Sequence, residues 1–333
     1  MEKVVLGLSD GVDSAVSTYI LKQRGFDVYG LYMDIGGDDG RQAALASAAQ
    51  NGIPLNVLDV NDRLNRYVCR PFIQEYINGR TPNPCILCNP AVKIRALEEY
   101  ADEIGAAYVA TGHYVRADGK SLYMGAADND QSYMFQRLTS AQVERLLLPL
   151  GEKNKAEVRK LAEKRGLFNA KRADSRDNCF IKGMNCAAWI EEHASGQIPP
   201  PGNVLYHGKI VSRHEGIHHF TVGQRWREDI DGRRVYVSKL DPERAEVTIS
   251  LWEELFTDKV RLSGLHFIND VPESSFEGFI RVRHTRRETP ACRVTLTGDT
   301  AYVETAETMR APAKGQPAAL YIGTRLLGGG FVE

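Results

Sequence analysis

Between Val4 and Thr111, short apolar runs alternate with segments of helical length, and this alternation restricts the fold more than any other feature of the chain. Val4–Leu8, Val28–Met33, Leu55–Val60 and Ala107–Thr111 read as buried strands. Between them, Asp13–Gln23 has helical apolar spacing at Val16, Tyr19 and Ile20 and stops at Gly25. Arg41–Gln50 is an Ala-rich helix closed by Asn51-Gly52, and Ala91–Ile104 is helical again. Strands joined by crossovers of this length run parallel, with helices on both faces. The expected fold class is α/β, with a doubly wound parallel sheet.

The pattern changes further on. Asn154 with Glu157 three residues later forms a capping-box signature, followed by Val158, Leu161 and Ala162 on one face and Gly166 as a stop. This helix reads as part of the first domain. The run Pro199-Pro200-Pro201-Gly202 then marks a boundary. Beyond it come short alternating segments: Lys209–Ser212, Arg234–Ser238, Glu246–Ser250, Phe279–Arg283, Arg293–Thr297, Ala301–Glu304 and Ala318–Ile322. Turn pairs such as Asp231-Gly232 and Gly298-Asp299 separate them, so this part is expected to be antiparallel β, ending in a small barrel or sandwich.

Composition narrows the partners. Forty-two basic against 43 acidic side chains give a net charge of −1, so no global positive field announces a nucleic acid. Charge is nonetheless clustered: residues 153–172 carry eight Lys or Arg against two Glu, and residues 279–293 carry five Arg against one Glu. Such segments are usually solvated faces, but they also track phosphates. No apolar run reaches the roughly 18–20 residues of a bilayer span. Met1-Glu2-Lys3 leads directly into a strand pattern rather than a leader, so the expected location is cytoplasmic, away from membranes. Six cysteines in such a chain are then buried thiols, catalytic thiols or metal ligands rather than a disulfide scaffold.

Two local motifs carry chemistry. Ser9-Asp10-Gly11-Val12-Asp13-Ser14 lies between the first strand and first helix, where small residues let backbone N–H groups close around phosphate at a helix N-terminus. It is neither a Walker A loop nor G-x-G-x-x-G. It resembles the pyrophosphate loop of the ATP-pyrophosphatase superfamily, except that Asp10 stands where glycine is usual; Asp tolerates a strained backbone there and either turns outward or binds Mg²⁺. The second motif is Thr81-Pro82-Asn83-Pro84-Cys85-Ile86-Leu87-Cys88-Asn89, where two prolines imply a rigid, non-helical backbone presenting two thiols on one side of a turn. A third cysteine follows in Asp174-Ser175-Arg176-Asp177-Asn178-Cys179-Phe180.

From these residues onward the chain resembles the tRNA-specific 2-thiouridylase family. The ordered motifs are the phosphate loop, Thr-Pro-Asn-Pro with Cys88, Thr111-Gly112-His113-Tyr114, Asp130-Gln131-Ser132-Tyr133 and Asp174-Ser175 with Cys179. Phe220-Thr221-Val222-Gly223-Gln224-Arg225, Arg283, Gly315-Gln316 and Gly328-Gly329-Gly330 follow. The resemblance implies an adenylating domain at 1–198, a small central tRNA-contacting domain at 199–258 and a C-terminal β-barrel at 259–333. It also implies ATP and Mg²⁺ at Gly7, Leu8, Ser9, Asp10, Gly11, Val12, Asp13 and Ser14, with Met33 and Gly112 at the adenosine. Asn83 and Pro84 with Cys85 would face the target base, while His113, Asn129, Asp130, Gln131, Arg283, His284 and Gln316 would touch tRNA.

The family's persulfide scheme makes Cys179 the sulfur carrier and Cys88 the thiol that releases it, leaving a disulfide. Adenylation turns the uridine C2 oxygen into a leaving group, and a sulfur nucleophile then takes its place. Cys85 departs from the family pattern, which has aspartate there. With Cys88 and Cys179 it makes a trio like that of iron–sulfur-dependent tRNA thiolases, implying a 4Fe-4S cluster with one iron left for external sulfide. Zinc also accepts such ligands. The sulfur donor implied is a cysteine desulfurase relay or inorganic sulfide, and the oligomeric state is left open. Rival readings are thiolation of a small nucleobase or metabolite, and an RNA-binding homologue without catalysis. Cys69, Cys186 and Cys292 lack motif context and read as ordinary thiols. His218-His219 reads as a strand pair pointing to opposite faces, unsuited to sharing a metal.

Overall fold

The structure, a computed structural model, describes residues 1–36, 38–126, 129–167, 169–170, 178–269, 273–283 and 289–333, the Asp38 side chain excepted. The chain opens with β1 (Lys3–Gly7), α1 (Val12–Gln23), β2 (Asp27–Asp34), α2 (Asp38–Asn51) and β3 (Leu55–Asp59). A continuous helical run follows: α3 (Asn61–Leu64), a π turn at Asn65–Cys69 and α4 (Arg70–Ile77). A second run consists of α5 (Pro84–Cys88), a π turn at Asn89–Ile94 and α6 (Arg95–Ile104). The second π turn contains Pro90 and the first ends two residues before Pro71; a proline's missing N–H removes a bond from the i to i−4 ladder. Next come β4 (Tyr108–Ala110), β5 (Val115–Ala117), β6 (Leu122–Met124), α7 (Ser140–Glu144), β7 (Leu146–Leu147), α8 (Lys155–Lys164) and α9 (Cys186–His193).

The first sheet has the order β3-β2-β1-β4-β7 with every pair parallel, as the strand–helix alternation requires. The acidic stretch after β2 opens α2 at Asp38, earlier than the Ala-rich segment alone suggests. The Asn154–Glu157 capping box is formed at the start of α8, with both reciprocal bonds at 2.8 and 2.9 Å. Among the described residues, no helix is long and apolar enough to cross a membrane.

The central sheet comprises β8 (Gly202–Tyr206), β9 (Lys209–His214), β10 (Val235–Asp241) and β11 (Glu246–Leu251), in the order β10-β11-β8-β9. Here the antiparallel expectation needs correcting, because two hairpins meet through a parallel β8–β11 pair. The closing barrel is β12 (Phe256–Phe267), β13 (Ser275–Arg281), β14 (Ala291–Thr297), β15 (Thr300–Arg310), β16 (Pro317–Ile322) and β17 (Arg325–Val332). Its antiparallel sheet closes through a β12–β17 pairing around Leu262, Ile280, Val294 and Leu320. The β5–β6 hairpin, although in the first segment, extends this sheet by pairing Leu122 and Tyr123 with Leu326 and Arg325.

A buried polar cluster ties these layers together. Asp130 and Arg281 both have fully buried side chains and form an ion pair at 2.6 Å. Asp130 also accepts bonds from Gly125 N, Ser132 N and Ser132 Oγ. Nearby, Tyr133 donates to the Pro317 carbonyl, and the Ser132 and Tyr321 hydroxyls are bonded. Asp130 is thus placed inside the domain junction rather than on a surface open to RNA. Arg281, from the basic segment read as phosphate-facing, points inward with it.

Candidate active site

The phosphate loop is formed by its own small side chains. Ser14 Oγ accepts from Ser9 N at 3.1 Å and lies 3.1 Å from Ser9 Oγ, which in turn accepts from Gly11 N. Gly11 caps α1 with extended backbone and no side-chain cap, so the helix begins toward the cavity with uncapped N–H groups and its positive dipole end. Asp13 is held from two sides, by the Tyr114 hydroxyl at 2.6 Å and Lys155 Nζ at 2.7 Å. Among the described residues of the basic 153–172 segment, Lys155 reaches this site. At Gly112 a Cβ would lie 3.0 Å from the Asp13 carbonyl carbon and the Ser14 nitrogen, so only glycine lets the 111–114 segment pass this close.

These elements enclose a 780 Å³ cavity lined by Gly7 to Ser14, Met33, Gly112, His113, Asn129 and Gln131, together with Lys93 and Lys155. Asn129 Nδ2 is buried there without a hydrogen-bond partner, leaving a donor available to a polar ligand.

A second cavity, of 850 Å³, is walled by Asn83, Pro84, Cys85, Cys179, Thr221 to Gln224, Arg283 and Gln316, and shares Lys93, His113 and Gln131 with the first. A third, of 730 Å³, is lined by Asp10, Met33, Cys88, Lys93, Cys179 and Lys182, among others. Lys93 therefore faces all three, and Cys179 lies between the second and third. Arg283 donates through Nη2 to the Arg310 and Ala311 carbonyls at 3.1 Å. Asp174, Ser175 and His284 lie outside the described residues.

The two-cysteine segment is helical, not a turn. Asn83 Oδ1 caps the Cys85 N–H at 3.1 Å and Pro84 occupies the first turn, where its fixed φ suits a helix and its missing N–H costs nothing. Cys85 and Cys88 still share a side, because positions i and i+3 are neighbours on a helix. Cys88 is buried and Cys179 is exposed. Burial pushes the Cys88 thiol up to about 11, against the pull of Lys93. Burial alone would lower the Lys93 ammonium, but Cys88, Cys85 and Cys179 together raise it. His113, half-buried and beside Lys93, falls to about 3 through desolvation and is neutral; its Nδ1 lies 2.9 Å from Thr111 Oγ1 and its ring edge meets Phe135.

Cys69 is the thiol that motif reasoning passed over. It is buried, raised to about 11 by burial and then by Cys179, and also interacts with Cys88. Its only sequence signal is a position in the helical run preceding the Thr-Pro-Asn-Pro segment.

A parallel sheet with a serine-rich loop after its first strand, an uncapped helix terminus and a lysine–aspartate pair at the cavity defines a phosphate-loop α/β nucleotide-binding class. Comparison with known proteins is more specific. Residues 2–183 match the family described as tRNA methyl transferase HUP domain, residues 190–251 the tRNA methyl transferase PRC-barrel domain and residues 257–332 the Aminomethyltransferase beta-barrel domain. The chain is 36% identical to the tRNA-specific 2-thiouridylase MnmA of Sulfurimonas denitrificans, covering all of this chain and 99% of the relative. It is also 36% identical to the tRNA-specific 2-thiouridylase MnmA 2 of Clostridium botulinum, covering 99% and 98%. The protein belongs to the tRNA-specific 2-thiouridylase family.

Proposed function

We propose that the protein is an ATP-dependent tRNA sulfurtransferase that converts the wobble uridine to 2-thiouridine. The observation that carries this reading is the shared wall: Lys93, His113 and Gln131 line both the phosphate-loop cavity and the cavity that holds Cys85 and Cys179. A base activated by nucleotide in one cavity is thereby within reach of sulfur chemistry in the other. The uridine C2 oxygen attacks the α-phosphorus of ATP and pyrophosphate departs; sulfur then bonds to C2 and the oxygen leaves with AMP. The α1 N-terminus and Lys155 bind phosphate charge, and Mg²⁺ offsets what remains, with Asp10 at the cavity edge as its nearby carboxylate. Asn83 and Pro84 face the base, and Arg283, Gln316 and Gln131 hold the surrounding RNA. Neutral His113 orients the base without adding charge. The proposed division of labour is 1–198 for adenylation, 199–258 for tRNA contact and 259–333 for the barrel, in a cytoplasmic protein.

Cys85, Cys88 and Cys179 fit a 4Fe-4S cluster by donor type and by their convergence on Lys93, whose positive charge offsets that of thiolates. When bound, such a cluster supplies an iron without a protein ligand, able to hold hydrosulfide from a desulfurase relay or free sulfide. A free thiol near 11 is a poor nucleophile at neutral pH, which favours Cys88 as a ligand that binding deprotonates. The exposure of Cys179 supports the second reading, a persulfide carrier without a cluster. Loss of 2-thiouridine from the tRNA of a deletion strain, measured by nucleoside mass spectrometry, is the expected result; unchanged levels would refute the assignment. Anaerobic reconstitution should give absorbance near about 400 nm, whereas an iron-free, colourless enzyme with full activity would select the persulfide.

A further inference from the structure

Residues 217–219 do not form a strand. They form a single 3₁₀ turn, Ile217–His219, at the entry to the Thr221–Gln224 segment that walls the second cavity. The turn packs against α4 and α9. In this geometry two adjacent side chains converge instead of diverging: Nε2 of His218 and Nε2 of His219 each lie 3.1 Å from the same Glu191 carboxylate oxygen on α9. Among the described residues, these three are the one group of His, Cys, Asp or Glu side chains whose ligand atoms all lie within 4.8 Å of one another.

We infer that Glu191, His218 and His219 form a binding site for a zinc-type divalent cation, fastening the entry turn of the central sheet to α9. Ligand atoms bonded at about 2.0–2.1 Å to a tetrahedral zinc lie about 3.3 Å apart, close to the 3.1 Å that separates each imidazole nitrogen from the carboxylate oxygen. Two imidazoles with one carboxylate are an established donor set for that ion, and solvent completes its coordination.

The setting of His218 points the same way. Its side chain is fully buried with Nε2 aimed at Glu191, and its Nδ1 has no hydrogen-bond partner. In the ion-free protein Nε2 donates its proton to the Glu191 carboxylate, which can only accept; a cation entering the site displaces that proton, the ring's remaining N–H passes to Nδ1, and Nε2 then presents its lone pair. A Cβ on residue 216 would collide with the His218 ring, so Gly216 makes room for the inward rotamer. His219 and Glu191 are partly exposed, giving an ion a path to the site. A cation here stiffens the turn that leads into Thr221–Gln224 and needs nothing from the sulfur chemistry.

Because thiolates also bind zinc-type ions, the test must separate this site from the cysteines. Full-length protein, stripped with a chelator, is titrated anaerobically with Co²⁺ in a Cys85→Ser/Cys88→Ser/Cys179→Ser background. One equivalent should bind with visible ligand-field bands and no thiolate charge transfer, and adding Glu191→Gln or His219→Ala should weaken it at least tenfold. With the native cysteines present, Zn²⁺ retained through gel filtration should drop by one equivalent in His219→Ala. That second measurement stands even if the triple variant misfolds. A folded triple variant that binds no Co²⁺, or retention of Zn²⁺ unchanged by His219→Ala, overturns the site.

Discussion

Replacing Asp130 with Asn would leave Arg281 as a fully buried cation facing a neutral amide. The ion pair is 2.6 Å long with both side chains fully buried, and the carboxylate accepts three further bonds from Gly125 and Ser132. Removing one partner of a buried pair costs about 3–5 kcal/mol, because the remaining charge cannot return to water. An Asn amide must also turn its NH₂ toward one of those donors. At about 1.4 kcal/mol per tenfold, the cost corresponds to two to three and a half powers of ten in the opening equilibrium of the junction. Hydrogen exchange at β16 and at Ser132–Phe135 reads that equilibrium directly. Arg281→Met should protect these amides about as poorly as Asp130→Asn. The double variant should recover about 2–3 kcal/mol relative to the sum, since it removes the stranded charge together with its partner. Single variants that cost under about 1 kcal/mol, or effects that simply add, would refute the claim that this pair holds barrel and sheet together.

The other expectations can be checked separately. His113 is neutral in the fold and falls to about 3 from 6.5. Its contribution to stability is therefore complete above about pH 6.5 and lost as pH falls toward the folded value, at about 1.4 kcal/mol per pH unit; His113→Gln should flatten that slope in denaturant titrations at pH 4 to 7. In metal-free protein, iodoacetamide should label exposed Cys179 before Cys88 and Cys69, both near 11, as read by peptide mass mapping. Lys93→Met should slow Cys88 labelling further at alkaline pH, because Lys93 is the group that lowers that thiol. Lys155→Met should cut tRNA-dependent pyrophosphate release by about a hundredfold while leaving the fold intact, since it removes a phosphate-cavity cation that also holds Asp13.

What the sequence disclosed was what local chemistry decides. A strand ending in small residues before a helix fixes the phosphate loop, and Ser9 and Ser14 close it within six residues. The Asn154 capping box needs only its own four residues, and it formed as read. The helical state of the Cys85–Cys88 segment was also local, but the two prolines drew attention away from the Asn83 cap, and Pro84 at the first turn favours a helix instead of forbidding one.

Features built by residues far apart in the chain left no comparable trace. Asp130 reads as one more polar residue in a motif, and only Arg281, 151 positions away, explains its burial. The β5–β6 hairpin is too short to announce that Leu122 and Tyr123 will pair with Leu326 and Arg325 at the far end of the chain. Cys69 shows the same limit in the site itself. Its separation from Cys85 and Cys88 made it look ordinary, but the turn Asn65–Cys69 packs against α5, which carries those two thiols. The raised Cys69 thiol then responds to the charge of Cys179, from a segment more than a hundred residues on. Among the described residues Lys93 is the cation that lowers Cys88, and it faces Cys85 and Cys179 as well. Lys182 adds a second pull, but on Cys179, and burial still outweighs these ammoniums there. In the ligand-free protein Cys88 and Cys69, both pushed up to about 11 by burial, therefore stay mostly protonated, and a step that needs their thiolates must bring further positive charge with it, as a bound metal centre does.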